Sequence, residues 1–197
     1  MFFVKYVCKN NTKIKKSIDN KGLIMYNAIC NLGESMEIIL NKAKDLGIKQ
    51  VFEFVYELPT ELTSFTTHQI TDNAKVTGTY LLNNDDSVDV KANIIVPMKW
   101  FCDRCGDPFE KNLFFEMEET FSPTQTEDSY FYAGNKIVLD KAVEEQFVLN
   151  VQGQALCKTN CKGVCSVCGT NLNYGSCTCK KQTDTNNPFA QIKDKLN

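Results

Sequence analysis

The sequence predicts an α+β protein: an antiparallel β-sheet body with one or two packed helices and a small cysteine-rich C-terminal module. Apolar and polar residues alternate over four stretches between residues 49 and 117, which is the pattern of half-buried strands. A helical pattern follows over residues 141–151. Beyond Gly153 the chain is rich in Cys, Gly and Asn and too poor in large apolar side chains to form its own core.

The N-terminal segment, residues 1–35, is rich in Asn and Lys and shows no sustained period. We expect a leader that either is flexible or precedes a true start at Met36, and the sequence leaves both readings open. Ser35 then favours an N-cap for a short helix through Leu46, with Gly47 at the stop position.

Four strands are predicted in the body, with a polar loop over residues 60–73 after the first. The short polar turn at 83–86 joins the second and third strands and predicts an antiparallel hairpin. The predicted strands cover residues 49–58, 74–82, 88–98 and 109–117.

A helix is predicted over residues 141–151, with Asp140 as its N-cap. Glu144 and Glu145 favour the positive N-terminal end of this helix. The predicted organisation is a leader (1–35), an α+β body with a first cysteine pair (36–156), a cysteine-rich module (157–179) and a polar linker with a short tail (180–197).

The charge is unevenly distributed along the chain. Residues 36–156 carry ten basic and twenty acidic side chains, a net charge of −10, whereas residues 1–35 and 157–197 each carry +4. Because phosphate contacts need Lys and Arg, the body is a poor general platform for nucleic acid. Any direct RNA contact is expected from the ends of the chain.

No apolar stretch is long enough to cross a bilayer. Lys5 interrupts the first apolar run too early for the core of a signal peptide. We therefore expect a cytoplasmic protein without a membrane partner.

Ten cysteines in a reducing compartment favour metal binding over a disulfide framework. Cys102 and Cys105 form a C-x-x-C pair followed by Gly106, and CSVCG at 165–169 repeats this zinc-knuckle pattern. A closed structural zinc site needs four ligands. The eight candidate ligands are Cys102, Cys105, Cys157, Cys161, Cys165, Cys168, Cys177 and Cys179.

These ligands predict one or two structural Zn²⁺ sites. The preferred pairing joins Cys102 and Cys105 to Cys157 and Cys161, and leaves a second, local set whose loop closes at little entropic cost. That second set is Cys165, Cys168, Cys177 and Cys179. The rival pairing joins the two knuckles to each other, and the spacing alone leaves it open.

The pattern does not predict an enzyme or a small-molecule substrate. Four thiolates around an ion leave no position for water or substrate. His68, the only histidine, lies in the polar segment TTHQ and is expected on the surface. A redox dithiol usually lies at a helix N-terminus, whereas Gly106 and Pro108 follow the first pair. Trp100, before that pair, is expected to be packed rather than stacked on a base.

Several segments together resemble the YceD family, described as large ribosomal RNA subunit accumulation proteins of bacteria and plastids. The resemblance runs from about Met36 to the C-terminus, although Val151-Gln152 stand where the family commonly has Leu-Pro. It implies a role in 23S rRNA accumulation and no enzymatic activity. The residues that carry it most specifically are Cys102, Arg104, Cys105, Phe109, Leu156, Cys157, Cys161, Gly163, Cys165, Cys168, Gly169, Asn171 and Leu172.

The first functional hypothesis is therefore a ribosome-biogenesis factor that acts on pre-large-subunit particles through rRNA or a ribosomal protein. A zinc-ribbon-like nucleic-acid or transcription adaptor is the second hypothesis, and a thiol redox sensor is the third. The sequence leaves open the oligomeric state and whether RNA is bound directly. The candidate contact residues are Arg104, Lys158, Lys162, Lys180, Lys181 and Phe189.

Overall fold

A computed structural model describes residues 35–151 and 153–179, together with two strands of the leader. The helices are α1 (Lys42–Asp45) and α2 (Asp140–Val151), and a 3-10 turn covers Thr60–Thr63. The strands are β1 (Ile14–Ile18), β2 (Ile24–Ala28), β3 (Glu37–Ile39), β4 (Lys49–Tyr56), β5 (Gln69–Ile70), β6 (Ala74–Leu82), β7 (Val88–Val96), β8 (Met98–Phe101), β9 (Pro108–Glu110), β10 (Leu113–Ser122), β11 (Tyr130–Phe131) and β12 (Lys136–Val138).

The described residues divide into two compact units. The sheet unit holds those up to Phe101 and those of Pro108–Gln154, and the cysteine unit holds Cys102–Asp107 and the residues from Ala155 onward. Both C-x-x-C pairs therefore belong to the cysteine unit. The leader cysteines Cys8 and Cys30 and the predicted linker and tail lie outside the described residues.

The centre of the sheet unit is a five-stranded sheet in the order β11-β10-β7-β6-β4. Its pairs are antiparallel except that β11 runs parallel to β10. The alternation that predicted the strands is confirmed, because the side chains of one face are buried. They include Phe52, Phe54, Val76, Tyr80, Val88, Val90, Ile94 and Met117.

The helix α2 packs on this buried face, as the sequence predicted, although it begins at Asp140 itself. The Phe147 ring lies 6.5 Å from that of Phe115 in β10. The Tyr56 hydroxyl of β4 donates a hydrogen bond of 2.6 Å to Glu144. No described helix is both long enough and apolar enough to span a membrane.

The helix predicted from Ser35 to Leu46 is wrong over its first half. Residues 37–39 form β3, which pairs antiparallel with β12, and only Lys42–Asp45 is helical. The physical reason is a period of two: Met36, Ile38 and Leu40 are all buried, which a strand achieves and a helix does not. Gly47 does take the expected positive φ, at 68°.

Two other strand boundaries and one loop also differ from the prediction. Pro97 cannot donate a ladder hydrogen bond, so the third run divides into β7 and β8. The predicted fourth strand divides at Lys111, whose amide donates a hydrogen bond to the Met98 carbonyl. Strand β10 then continues to Ser122. The predicted loop over 60–73 contains the 3-10 turn and β5.

The leader contains regular structure in its described segments. Strands β1 and β2 pair antiparallel, with Ile14 opposite Ala28 and Ile18 opposite Ile24. Both strands lie inside the segment whose sequence shows no sustained period.

Candidate metal centres

The first four-thiol cluster combines the pair on the β8–β9 connection with two cysteines from far along the chain. The Sγ atoms of Cys102 and Cys161 lie 3.8 Å apart, and those of Cys105 and Cys157 lie 3.7 Å apart. A tetrahedron of four thiolates around Zn²⁺ has edges of about 3.8 Å, because each Zn–S bond is about 2.3 Å. A disulfide would bring two sulfurs to about 2 Å. The donor set therefore fits a single tetrahedral ion.

The second cluster is local in sequence. Its ligand atoms, like those of the first cluster, all lie within 4.8 Å of one another. The structure thus groups the eight thiols according to the preferred pairing and not according to the rival that joins the two knuckles. The second cluster consists of Cys165, Cys168, Cys177 and Cys179.

The two knuckles are built by the same backbone pattern. Gly106 and Gly169 have φ of 75° and 73°, and each amide donates to the carbonyl of the first cysteine of its pair, at 2.8 and 2.9 Å. A positive φ is accessible to glycine at no steric cost. The sequence repeat C-x-x-C-G therefore corresponds to a structural repeat.

Hydrogen bonds hold the first knuckle to the distant half of its cluster. The Asp103 amide donates a hydrogen bond of 2.9 Å to the Ala155 carbonyl, and the Ala155 amide donates one of 2.7 Å to the Asp103 carboxylate. The Arg104 carbonyl accepts from the Val164 amide at 3.1 Å. At Gly163, whose φ is 72°, a Cβ would lie 3.0 Å from that carbonyl oxygen. These contacts place Cys157 and Cys161 beside the knuckle.

The thiols of the first cluster differ in pKa, so that some favour the thiolate and others the protonated form. Burial raises the pKa of Cys102, but backbone amide donors outweigh it and hold that pKa at about 6. The Asn173 side chain lowers the pKa of Cys161. The Asp107 backbone amide lowers the pKa of Cys105, but burial and the neighbouring thiols outweigh it, so the pKa of Cys105 is raised. Four adjacent thiolates repel one another, and a bound dication offsets that repulsion.

The second cluster shows the same division. The Thr170 hydroxyl and amide lower the pKa of Cys168 to about 6, whereas the adjacent Cys168 thiol and burial raise that of Cys179 to about 12.

The clusters differ in burial. Cys102, Cys105 and Cys161 of the first cluster are buried, whereas Cys168 of the second cluster is exposed and the other three cysteines of the second cluster are half-buried.

Three side chains that support the first cluster are not among the predicted site residues. Asn173 donates to the Sγ atom of Cys161 at 3.3 Å, and the Asp107 carboxylate lies 3.3 Å from the Sγ atom of Cys105. Asn171 donates to the same carboxylate at 2.9 Å. The only sequence signals for these contacts were the position of Asp107 beside Gly106 and the repeated Asn in the segment NLN.

The structure describes only some of the residues predicted to contact RNA or a partner. Arg104, Lys158 and Lys162 are exposed on the cysteine unit, and the Arg104 guanidinium also donates to the Cys161 carbonyl at 3.3 Å. Lys180, Lys181 and Phe189 lie outside the described residues.

The expected surface position of His68 is wrong. Its side chain is buried in the sheet unit, where Nδ1 accepts a hydrogen bond from the Phe101 amide at 3.3 Å. The ring lies 4.6 Å from that of Trp100. Trp100 is packed, as predicted, and its Nε1 donates to the Lys111 carbonyl at 2.7 Å. The sequence could not show that Trp100 provides an aromatic neighbour for this histidine.

The fold and the clusters define an α+β protein with two four-cysteine clusters suited to metal. The sequence profile of the family described as large ribosomal RNA subunit accumulation protein YceD matches residues 88–194. Because this match covers more than half of the chain, the chain belongs to the YceD family, which confirms the expected resemblance.

Comparison with individual proteins gives a more local similarity. A 49-residue segment is 43% identical to the large ribosomal RNA subunit accumulation protein YCED homolog 1, chloroplastic, of Zea mays. The aligned segment is 24% of this chain and 17% of the maize protein. No solved structure matches the chain.

Proposed function

We propose that this chain is a non-enzymatic factor of ribosome biogenesis that supports 23S rRNA accumulation and assembly of the large subunit. Two clusters of four thiols, with the ligand atoms of each within 4.8 Å of one another, carry the proposal in a member of the YceD family. Through rRNA or a ribosomal protein, the factor acts on pre-large-subunit particles.

Each cluster binds one Zn²⁺ in this proposal. Thiolate sulfur is a preferred ligand of Zn²⁺, and four cysteines are a common structural donor set. The eight ligands would be the cysteines already named in the two clusters. Zinc supplies charge neutralisation and a cross-link that folds the cysteine unit, whose described part buries few large apolar side chains.

The closed donor sets support a binding role over catalysis. With four protein ligands at each ion, a substrate or water has no coordination position to occupy. The His68 Nδ1 atom is used by the Phe101 amide, so this histidine is a structural side chain in the proposal.

Charge suggests how the two units divide their contacts. The acidic body suits a basic ribosomal protein through complementary charge. Arg104, Lys158 and Lys162, exposed on the cysteine unit, suit rRNA phosphate, and Lys180, Lys181 and Phe189 of the tail extend this set in the proposal. The eight cluster cysteines form no disulfide in the described part of the chain, and a reducing compartment such as the cytoplasm would keep them reduced for metal binding.

Depletion of the protein tests this function. Sucrose-gradient profiles of a depleted strain should show deficient large subunits and reduced 23S rRNA, and the wild-type gene should restore both. The Cys102→Ser variant should fail to restore them, whereas Ser166→Ala, which alters an exposed residue of the second knuckle, should succeed. Unchanged profiles on depletion would remove the proposed function.

A thiol redox sensor is the second candidate, favoured by the exposure of Cys168. Hydrogen peroxide would take two electrons from two thiolates of this cluster, form one disulfide and be reduced to two waters after uptake of two protons, with release of the ion. Retention of both ions at mild peroxide would exclude it.

A further inference from the structure

Within the described part of the chain, one edge of the central sheet is largely unpaired. Strand β10 pairs with β7 without interruption from Leu113 to Phe121. On its other side β11 pairs only with Phe121 and Ser122. Because β11 is the end of the strand order, most of this side of β10 forms the edge of the sheet.

The direction of the free backbone groups follows from the pairing with β11. The Ser122 carbonyl faces that side, since it accepts from the Tyr132 amide at 3.0 Å. The amide and carbonyl of alternate residues point to the same edge of a strand. The backbone groups of Phe114, Glu116 and Glu118 therefore point outward, and within the described part of the chain no backbone hydrogen bond reaches them from this side.

The exposed side chains along this edge are acidic with one aromatic. Phe114 is 63% exposed, and Glu116 and Glu118 are also exposed. Glu118 forms an ion pair with Lys91 of β7, whereas Glu116 has no ion-pair partner among the described residues. An added strand would therefore find an apolar contact and an unneutralised carboxylate on the same face.

A cleft at the end of this edge extends the negative charge. Its volume is about 570 Å³, and it lies between the loop before β11, the start of α2 and β10. Glu119, Glu127, Asp128 and Glu145 line it against a single basic side chain, Lys141. Glu127 and Asp128 are exposed and make no ion pair within the described residues. The negative charge of these carboxylates would attract one end of a cationic segment bound on the β10 edge.

We propose that the β10 edge binds an extended, Lys- and Arg-rich segment of a partner protein as an added β-strand. Backbone hydrogen bonds to Phe114, Glu116 and Glu118 give the affinity, and cationic side chains beside Glu116 give the specificity. A second copy of this chain is disfavoured, because edge-to-edge pairing would bring Glu residues together, and like charges in cross-strand contact are destabilising. The inference deepens the proposed contact between the acidic body and a basic protein, on which it rests, whereas the peptide tests below are independent of 23S rRNA accumulation.

The test uses the full-length protein and a synthetic peptide of alternating Lys and Val. Saturating peptide should slow hydrogen exchange at the Phe114, Glu116 and Glu118 amides, measured by NMR. A peptide with the same charges in which every backbone amide is N-methylated cannot donate to the edge, and it should bind at least about tenfold more weakly, a loss of about 1.4 kcal/mol. Equal binding of both peptides would show attraction by charge alone and overturn the added-strand proposal.

Charge specificity is tested by substitution. Glu116→Lys should weaken binding of the Lys/Val peptide and allow binding of a Glu/Val peptide. Glu57→Lys is the matched control, because Glu57 is an exposed carboxylate outside this edge, and it should leave the affinity within about twofold. Equal loss in both variants would contradict the location.

Two further results would overturn the proposal. One is protection of the same amides at rising protein concentration without peptide, which would show pairing between copies of this chain. The other is protection of these amides by an RNA oligomer and not by the peptide, which would assign the edge to another class of partner.

Discussion

The side-chain amide of Asn173 donates a hydrogen bond to the Sγ atom of Cys161 at 3.3 Å, and it also reaches the Asn171 side-chain oxygen at 2.9 Å. The backbone amide of Lys162 donates to the Asn173 side-chain oxygen at 3.0 Å. One asparagine therefore supports a candidate metal ligand and orders the chain immediately after it.

Asn173→Ala should weaken metal binding at the first cluster. Removal of this donor raises the pKa of Cys161 and leaves its thiolate less stabilised, and loss of such a supporting contact typically reduces metal affinity about ten- to a hundredfold. Competition with a chromophoric chelator measures the effect. Asn160→Ala, at an exposed position of the same unit, should bind metal as the wild type does. Equal affinities of the three proteins would refute the supporting role.

Gly163→Ala should destabilise the cysteine unit. The glycine has φ of 72°, and a Cβ would lie 3.0 Å from the Arg104 carbonyl oxygen, so we expect a cost of about 1–3 kcal/mol. The measurement is the denaturant concentration at which metal is released. At Gly175 φ is not positive and the nearest atom to a Cβ is 3.9 Å away, so Gly175→Ala should change the midpoint little. A Gly163→Ala midpoint as high as that of Gly175→Ala would contradict the steric argument.

Cys165→Ser should remove one metal ion per chain and leave the sheet unit folded. The second cluster lies wholly in residues 165–179, and the sheet unit has its own buried face. Hydrogen exchange of the β6 and β7 amides should therefore match the wild type, while exchange around residues 165–179 should accelerate. Loss of protection throughout the sheet would show that the second cluster contributes to global folding.

The sequence predicted the features that depend on local pattern. The alternation of Val88 to Val96 specified a strand because every second side chain had to be buried, and the C-x-x-C-G repeats specified two similar knuckles because each turn needs a glycine with positive φ. The short apolar run at Met36, Ile38 and Leu40 surrounds a strand where the sequence predicts a helix. Three alternating residues carry too weak a period to outweigh an apparent N-cap at Ser35.

Features that depend on distant contacts were beyond the sequence. His68 lies in a polar segment, and only folding brings it to Trp100 and the Phe101 amide. The cysteine pairing was likewise left open by spacing, because bonds such as Val164 to Arg104 join segments far apart in the chain. The Asn173 contact with Cys161 depends on the path of the loop between Cys168 and Cys177 of the second cluster.

Asp140 gives a pH-dependent prediction. Burial raises its pKa above the ordinary value, despite the Met36 amide that donates to its carboxylate at 2.7 Å. A raised pKa in the folded state means that this carboxyl contributes stability below its ordinary pKa and loses that contribution as the pH rises through the raised pKa. Asn does not titrate. Between the ordinary and the raised pKa of Asp140, the Asp140→Asn variant should therefore gain free energy of unfolding relative to the wild type as the pH rises. Above the raised pKa, the difference between the two proteins should stay constant.

Denaturant unfolding of both proteins at a series of pH values measures this difference. Extrapolated free energies of unfolding should diverge between the ordinary and the raised pKa of Asp140. A difference that is independent of pH, or one that favours the wild type increasingly as the pH rises, would show that the carboxylate is stabilised and not penalised at this position.

We propose that the eight cluster thiols bind metal in two closed sites. Native mass spectrometry of full-length protein purified without chelator tests it most directly. The spectra should show two zinc ions per chain, and all eight cluster thiols should be protected from alkylation until the metal is removed. A folded protein that carries no metal, and whose cluster thiols all react at once, would contradict it.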